Sequence, residues 1–421
     1  MERRALRIGG IALLAAAAVI ALLRWRLWSH GVPGVDGHGL GNAFPGLDLE
    51  RSQAYRSARW GFVVAGAVLG PAVAVAVAVS GRLWQPWLAR RCGNRRWLAG
   101  AIFGAGLAVV TALVLLPVRI GAYAVGRDFG IIVQPVGAWL VDVGTATVIG
   151  MLLFGAVGLI TAVLIGRSPT RWWVGLGAVA VVATFVMSAL APVVIEPAFQ
   201  HTKPLDDPAL EAAILRVAAR EGVDARGVEI ADASRRTTAV NAYVSGIGPS
   251  RRIVLYDTLV DGLPRDEVVA VAAHELAHVE HAHVVKGTTW AAALMLPACL
   301  LVFAVVGWRT GWSPAAPGRD GTDLVLRRTA VAGAAIVVLA ALSSPLANWV
   351  SRAYEREADW TALTATADAG AQERLIESLA QRSLATPRTP AVLQWWFGTH
   401  PQPVDRLAMA RHYADVEGHA R

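Results

Sequence analysis

Apolar residues are not spread evenly along this chain. They gather in seven runs, at residues 8–23, 61–80, 98–118, 143–166, 172–195, 288–308 and 329–349, separated by arginine-rich and polar stretches. Runs of about 18 residues or more are long enough to cross a bilayer as helices. The first run is short for a span and stands where a signal peptide would. Arg24-Trp25-Arg26-Leu27-Trp28 follows it directly, with no small-residue cleavage site, so it reads as an anchor, the signal peptide being the alternative. Two stretches, 196–287 and 351–421, are polar enough to lie outside the membrane. In the first, 208–221 has helical apolar spacing at Leu210, Ile214, Leu215 and Val217. Val228-Glu229-Ile230, Asn241-Ala242-Tyr243-Val244 and Arg252-Ile253-Val254-Leu255-Tyr256 read as strands, and 266–285 as one long helix. Gly246, Gly248 and Ser250 mark a turn, and 309–328, with Pro314, Pro317 and Gly318, reads as a hydrophilic connector. There is no internal repeat. The pattern predicts a mainly α, seven-helix membrane protein that carries a small β-sheet.

Composition supports this picture. The chain is 55% hydrophobic and 17% charged, below the roughly 25% charged residues of soluble domains. Its formal net charge is +8, carried almost wholly by arginine, since lysine occurs only at Lys203 and Lys286. That usage, rich in alanine, glycine and valine, suggests a GC-rich bacterial genome. A basic balance suits nucleic acid or an anionic membrane surface. The arginine pairs at Arg3-Arg4, Arg90-Arg91, Arg95-Arg96 and Arg327-Arg328 flank apolar runs, which favours the membrane over nucleic acid. Two cysteines, Cys92 and Cys299, make neither a disulfide framework nor a thiolate metal site.

The chemistry is concentrated in His274-Glu275-Leu276-Ala277-His278, an HExxH pattern. On a helix, residues four apart share a face, so both imidazoles can reach one tetrahedral zinc at about 2 Å. Glu275 lies a third of a turn away, able to reach an attacking water without binding the metal. The flanking residues are apolar all round, and buried histidines need partners. His281 falls about 10 Å along the axis from His274 and reads as a satisfied or solvated histidine; His283 points to the opposite face. A third ligand must come from elsewhere. Ser351-Arg352-Ala353-Tyr354-Glu355-Arg356-Glu357-Ala358-Asp359 is the best candidate, on a helix uninterrupted over 346–369. Taken alone, a charged run after a span is a solvated helix. A two-histidine site upstream changes that reading: Glu355 can ligate, and Asp359, four residues on, can accept a hydrogen bond from a ligating histidine and fix its tautomer.

With these residues in view, the chain resembles the type I CAAX prenyl endopeptidases and their bacterial relatives, the HtpX-like heat-shock proteases. The resemblance rests on stretches in the family's order: Ile195-Glu196-Pro197-Ala198-Phe199, Asn241-Ala242-Tyr243, the strand and its continuation through Asp257-Thr258-Leu259, the HExxH helix with its extra His283, the Ser351 to Asp359 motif, and Thr399-His400-Pro401. Five spans before the catalytic segment and two after it look like the CAAX branch. The resemblance implies a gluzincin-like zinc peptidase domain with one Zn2+ per chain held by His274, His278 and Glu355. It implies that His400 and Arg406 face the site and stabilise the tetrahedral intermediate. It also implies that Asn241, Ala242 and Tyr243 form an edge strand that binds substrate backbone by strand addition, and that the helices enclose a chamber onto which the site opens. One departure is Gln402, where the family has a second proline; the His400 to Arg406 spacing is kept.

The expected division is 1–195 (five membrane helices), 196–287 (catalytic segment with HExxH), 288–349 (two membrane helices) and 350–421 (the segment carrying the third ligand). The expected activity is peptide hydrolysis, with Glu275 as general base, on a peptide or membrane-protein substrate. That substrate is either a prenylated or lipid-linked peptide or a damaged membrane protein. The alternative is a catalytically inactive membrane receptor or transporter on the same scaffold, against which the intact ligands and Glu275 argue. Arginine counting favours a cytoplasmic N-terminus, which after five spans would put the catalytic segment outside. The resemblance puts it on the cytoplasmic face of a bacterial plasma membrane. We adopt that orientation because the first loop is also arginine-rich and blurs the count.

Overall fold

The computed structural model describes residues 2–28, 31–93, 95–194, 200–245, 251–313 and 319–420. Its first block is helical: α1 (Glu2–Leu27), α2 (Leu49–Val79), α3 (Gly81–Cys92), α4 (Arg96–Asp128), α5 (Val136–Arg167) and α6 (Trp172–Val194). Then come β1 (Thr202–Pro204), α7 (Pro208–Arg220), β2 (Val228–Ala231), β3 (Ala242–Ser245), β4 (Arg252–Tyr256), α8 (Asp257–Val260) and α9 (Arg265–Glu280). The chain ends with α10 (His283–Thr310), α11 (Arg319–Thr366), α12 (Ala369–Arg382), α13 (Ala391–Phe397) and α14 (Pro403–Ala420). Among the described residues seven helices, α1, α2, α4, α5, α6, α10 and α11, are long and apolar enough to cross a membrane. They are the seven expected from the apolar runs. The stretch Ile195 to Phe199, the turn at Gly246, Gly248 and Ser250, and Pro314, Pro317 and Gly318 lie outside the described residues.

Glycine decides how closely the membrane helices pack. A Cβ at Gly104 of α4 would lie 2.0 Å from the Phe154 carbonyl oxygen of α5, and one at Gly158 would lie 2.2 Å from the Gly100 oxygen. The two backbones touch there, as small residues allow in a membrane, where packing replaces the hydrophobic drive. The unexpected α3 is too polar to read as a span. It lays Leu88 and Cys92 against Phe103, Leu107 and Leu326.

The four-stranded sheet has the order β1-β2-β4-β3. β2 runs parallel to β4; β3 is antiparallel to it, with Ala242 opposite Leu255 and Tyr243 opposite Val254. β3 is therefore a terminal strand, and α9 runs beside it. β1, only three residues long, had no alternation to announce it. Asp207 caps α7 by accepting from the Leu210 N–H at 3.0 Å, with Pro208 in the first turn. Leu210, Ile214 and Val217 of α7 then share one core with Ile253 and Leu255 of the sheet and Leu276 of α9.

The α4–α5 connection is laced to the segment that leads into β3. Ile132 pairs with Thr237 in an isolated bridge, Val133 N–H donates to the Arg236 carbonyl at 3.0 Å, and Arg236 Nη1 meets Asp142 Oδ2 at 2.5 Å. Beside this seam a cavity of about 620 Å³ opens between α2, α4 and α5, with Arg59, Arg119, Tyr123 and Asp142 on its wall.

The expected helix over 266–285 is two helices. α9 stops at Glu280, Ala282 takes φ 52°, and α10 begins afresh at His283. Nothing in the apolar spacing marks this break, because the residues on both sides form helix readily.

Candidate active site

α9 starts behind Pro264, with Asp266 and Glu267 in its first turn, where acidic groups suit the helix dipole. Its alanines and Leu276 are buried, leaving His274 and His278 directed at α11. There Glu355 and Asp359, also four apart, face them. His274 Nε2 lies 3.2 Å from His278 Nε2 and 3.2 Å from Glu355 Oε2, and His278 Nε2 lies 3.6 Å from Glu355 Oε1. Ligands around a tetrahedral zinc at 2.0–2.1 Å stand about 3.3 Å apart. Among the described residues no well-directed hydrogen bond reaches the buried Glu355 Oε2, as for a metal-facing oxygen. The donor set of two imidazoles and a carboxylate suits zinc.

The back of each imidazole is held differently. His274 Nδ1 meets Asp359 Oδ1 at 2.9 Å. Asp359 in turn accepts from Arg406 Nε at 2.8 Å and Nη2 at 2.7 Å, a fork on a buried carboxylate. His278 Nδ1 lies 2.8 Å from His283 Nδ1, and His283 Nε2 lies 2.9 Å from Glu357 Oε2. The helix break explains why His283, expected on the opposite face, is here. On a continuous helix it would stand 140° round from His278; the left-handed Ala282 returns it to the same side. No sequence signal assigned it or Glu357 a role. His281 stays outside this cluster, its Nε2 2.8 Å from Thr361 Oγ1.

Electrostatics follow the geometry. Burial pushes the Glu275 carboxyl up to about 7, helped by the Glu355 charge and opposed by His274 and Arg406. Burial pulls His278 down to about 3, so its ring is neutral, as a ligand must be. Burial pulls His274 down too, but contacts with Asp359 and Glu355 prevail and raise it to about 10, so in the metal-free site this ring carries an extra proton that a bound metal would displace. Arg406 is held charged against its burial by Asp359, Glu355 and Glu275.

His400 Nε2 lies 3.3 Å from Glu355 Oε2, on a half-exposed ring. Its loop is held from behind by Gln394 Nε2, which donates to the His400 carbonyl at 2.8 Å. Gln402 accepts from the Thr389 N–H at 2.6 Å, so the residue that departs from the family's proline ties down the loop before α13. A groove of about 320 Å³, lined by Arg56, Trp60, Gln394, His400 and Arg406, reaches this side of the site. Asn241 is exposed just before β3, Ala242 is buried, and Tyr243 donates its hydroxyl proton to Gln200 Oε1 at 3.0 Å.

Seven helices long and apolar enough to span a membrane, with a histidine and glutamate cluster able to hold a metal, mark a membrane metalloprotease. The chain belongs to peptidase family M48, whose model matches residues 204–414, and the CAAX prenyl protease N-terminal model, five membrane helices, matches 38–201. It is 27% identical over 317 residues to the uncharacterized metalloprotease YhfN of Bacillus subtilis, covering 74% of this chain and 73% of that protein. It is 31% identical over 188 residues to CAAX prenyl protease 1 of Saccharomyces cerevisiae, covering 43% of this chain and 40% of the relative, well short of that relative's length. The crystal structure of S. mikatae Ste24p has the same fold, with a TM-score of 0.70 at 19% identity, covering 96% and 98% of the two chains.

Proposed function

We propose that this protein is an integral-membrane zinc metalloendopeptidase, with His274, His278 and Glu355 as metal ligands and Glu275 as general base. The observation that carries the reading is the convergence of three ligand atoms within 4.8 Å of one another, with a carboxyl raised to about 7 beside them. A zinc ion there supplies Lewis acidity, lowering the pKa of water and polarising a carbonyl. Glu275 takes a proton from the attacking water and returns it to the leaving amine; a carboxyl near neutrality suits both transfers. His400 Nε2 and the remaining Nη1 of Arg406 donate to the substrate oxygen as negative charge develops. Asp359 keeps His274 in the tautomer whose Nε2 faces the metal. Substrate backbone lies along β3 at Asn241, Ala242 and Tyr243, the terminal strand beside α9.

The substrate is a peptide or membrane protein, either prenylated or lipid-linked or a damaged chain under quality control. The relatives with CAAX prenyl protease names favour the first. The site faces the cytoplasm of a bacterial plasma membrane, and the chain divides functionally at residues 195, 287 and 349. The test is Glu275→Gln in purified protein. Zinc content should stay at one per chain while cleavage of casein and of a prenylated peptide falls by at least about 10²-fold. Activity within a few-fold of the unmodified chain would remove Glu275 from the mechanism. Equal activity after chelation would remove the metal.

A further inference from the structure

The two histidines of the metal site are not supported alike. His274 contacts a carboxylate directly. On its Nδ1 side His278 reaches one through a third histidine: His278 Nδ1 to His283 Nδ1 at 2.8 Å, then His283 Nε2 to Glu357 Oε2 at 2.9 Å. His283 is 5% exposed and Glu357 8%, so solvent is a poor substitute for either. The ring of His283 cannot turn away easily. Tyr354 stacks on it at 4.5 Å and 11°, and the Tyr354 hydroxyl is itself fixed, accepting from Trp290 Nε1 at 3.1 Å and donating to the Leu27 carbonyl at 3.2 Å.

Proton counting gives this chain one polarity. An ionised carboxylate only accepts, so His283 must carry its proton on Nε2 and donate it to Glu357. Its Nδ1 is then an acceptor. The only proton that can occupy the 2.8 Å contact belongs to His278 Nδ1, which leaves the His278 Nε2 lone pair free on the side of His274 and Glu355. We propose that His283 and Glu357 are positioning residues that set the tautomer and ring orientation of His278 for metal binding. The Ala282 break between α9 and α10 exists to bring His283 back to that face. This inference rests on His274, His278 and Glu355 being the metal ligands. A directly bonded carboxylate and a histidine-spaced one also differ in how much negative charge they place behind the ligand. The site therefore has a strongly supported imidazole, His274, and a more weakly charged one, His278.

The experiment is a competitive zinc titration of full-length protein, stripped of metal in detergent micelles. Wild type is compared with His283→Ala, His283→Asn, Glu357→Gln and the double variant His283→Asn/Glu357→Gln, with the melting temperature of each metal-free form. Loss of a ligand's hydrogen-bond partner typically costs about 10–100-fold in metal affinity. That loss is expected for His283→Ala and Glu357→Gln, scored per folded molecule, since His283→Ala also leaves the Glu357 carboxylate buried without this partner and lowers the metal-free melting temperature. Asparagine places an amide where Nδ1 was, so His283→Asn should recover affinity to within a few-fold. In that background Glu357→Gln should have no further effect, because the amide does not reach it. Wild-type affinity in His283→Ala overturns the proposal. So does an affinity loss in His283→Ala that asparagine does not restore. Wild type that binds no zinc instead overturns the metal-site reading on which the proposal stands.

Discussion

Arg406 and His400 sit on the same side of the His274, His278 and Glu355 cluster, but burial separates what they do. Arg406 forks onto Asp359, itself 2% exposed. Removing one member of a buried pair leaves an uncompensated charge and costs about 3–5 kcal/mol. Arg406→Ala should therefore lower the melting temperature, loosen His274 through Asp359 and reduce turnover together. His400 is half exposed, its Nδ1 2.8 Å from Thr399 Oγ1 and its Nε2 3.3 Å from Glu355 Oε2. His400→Ala should leave melting temperature and zinc content unchanged while turnover falls about 10²–10³-fold, the loss expected of one oxyanion donor. Parallel melting, zinc and turnover measurements decide this; normal turnover in folded His400→Ala would end its assignment. Residues of this kind differ in how far the sequence exposes them. His274, Glu275 and His278 are legible because helical geometry alone brings them together. The Arg406 to Asp359 fork is not, since 47 residues separate the partners and nothing local demands their contact.

At the scale of elements, helix ends carry the strain. Glu221 caps the C-terminus of α7, its carboxylate oxygens both buried with no hydrogen-bond partner among the described residues, at the negative end of a helix dipole. Burial and then the neighbouring Glu280 push its carboxyl up to about 8. A carboxyl raised on folding holds its proton in the folded state when the unfolded chain has lost it. Stability thus falls as pH climbs from about 4.5 to about 8. Glu221→Gln should abolish that decline: its melting advantage is absent near pH 4, grows through neutrality and levels off above pH 8. An advantage independent of pH would point to packing instead. Ala282 holds φ 52° between α9 and α10, where an L-residue costs about 1–2 kcal/mol and glycine does not. Ala282→Gly should raise the melting temperature by on the order of a degree with zinc content unchanged; a fall would mean that the alanine stiffens the break. Apolar runs revealed the seven long helices because each run is uniform. They could not reveal this break, which a single backbone angle makes inside a helix-forming sequence. Nor could they reveal α3, whose tryptophans and arginines average to neither span nor loop.

At the scale of the whole molecule, the peptidase segments are tied to the membrane helices at several places. The bridge at Ile132 and Thr237 ties the α4–α5 connection to the approach to β3. Arg56 of α2 donates from Nε to the Leu384 carbonyl at 2.9 Å, and the Gly37 N–H donates to Asp405 Oδ1 at 3.1 Å. Hydropathy counts spans but says nothing of such ties, which depend on how helices distant in sequence are arranged.

The most consequential tie is α11, whose 48 residues run without a stop through the membrane and into the cluster, interrupted only by Pro345. Glu355 stands ten residues past that proline, about 15 Å along the axis, while α10 leaves the cluster for the membrane at His283. A bilayer thicker or thinner than these helices tilts or shifts them, while α9 also packs on β3 and α7. A shift of α11 against α9 would change the spacing between Glu355 and the two histidines. Reconstituted in liposomes of graded acyl length, the protein should show turnover and zinc retention that peak together at one thickness and fall on both sides. Identical values across the series would show that α11 transmits nothing. Otherwise the hydrocarbon depth of the host membrane acts as a dial on the enzyme, and cleavage is fastest where the bilayer matches it.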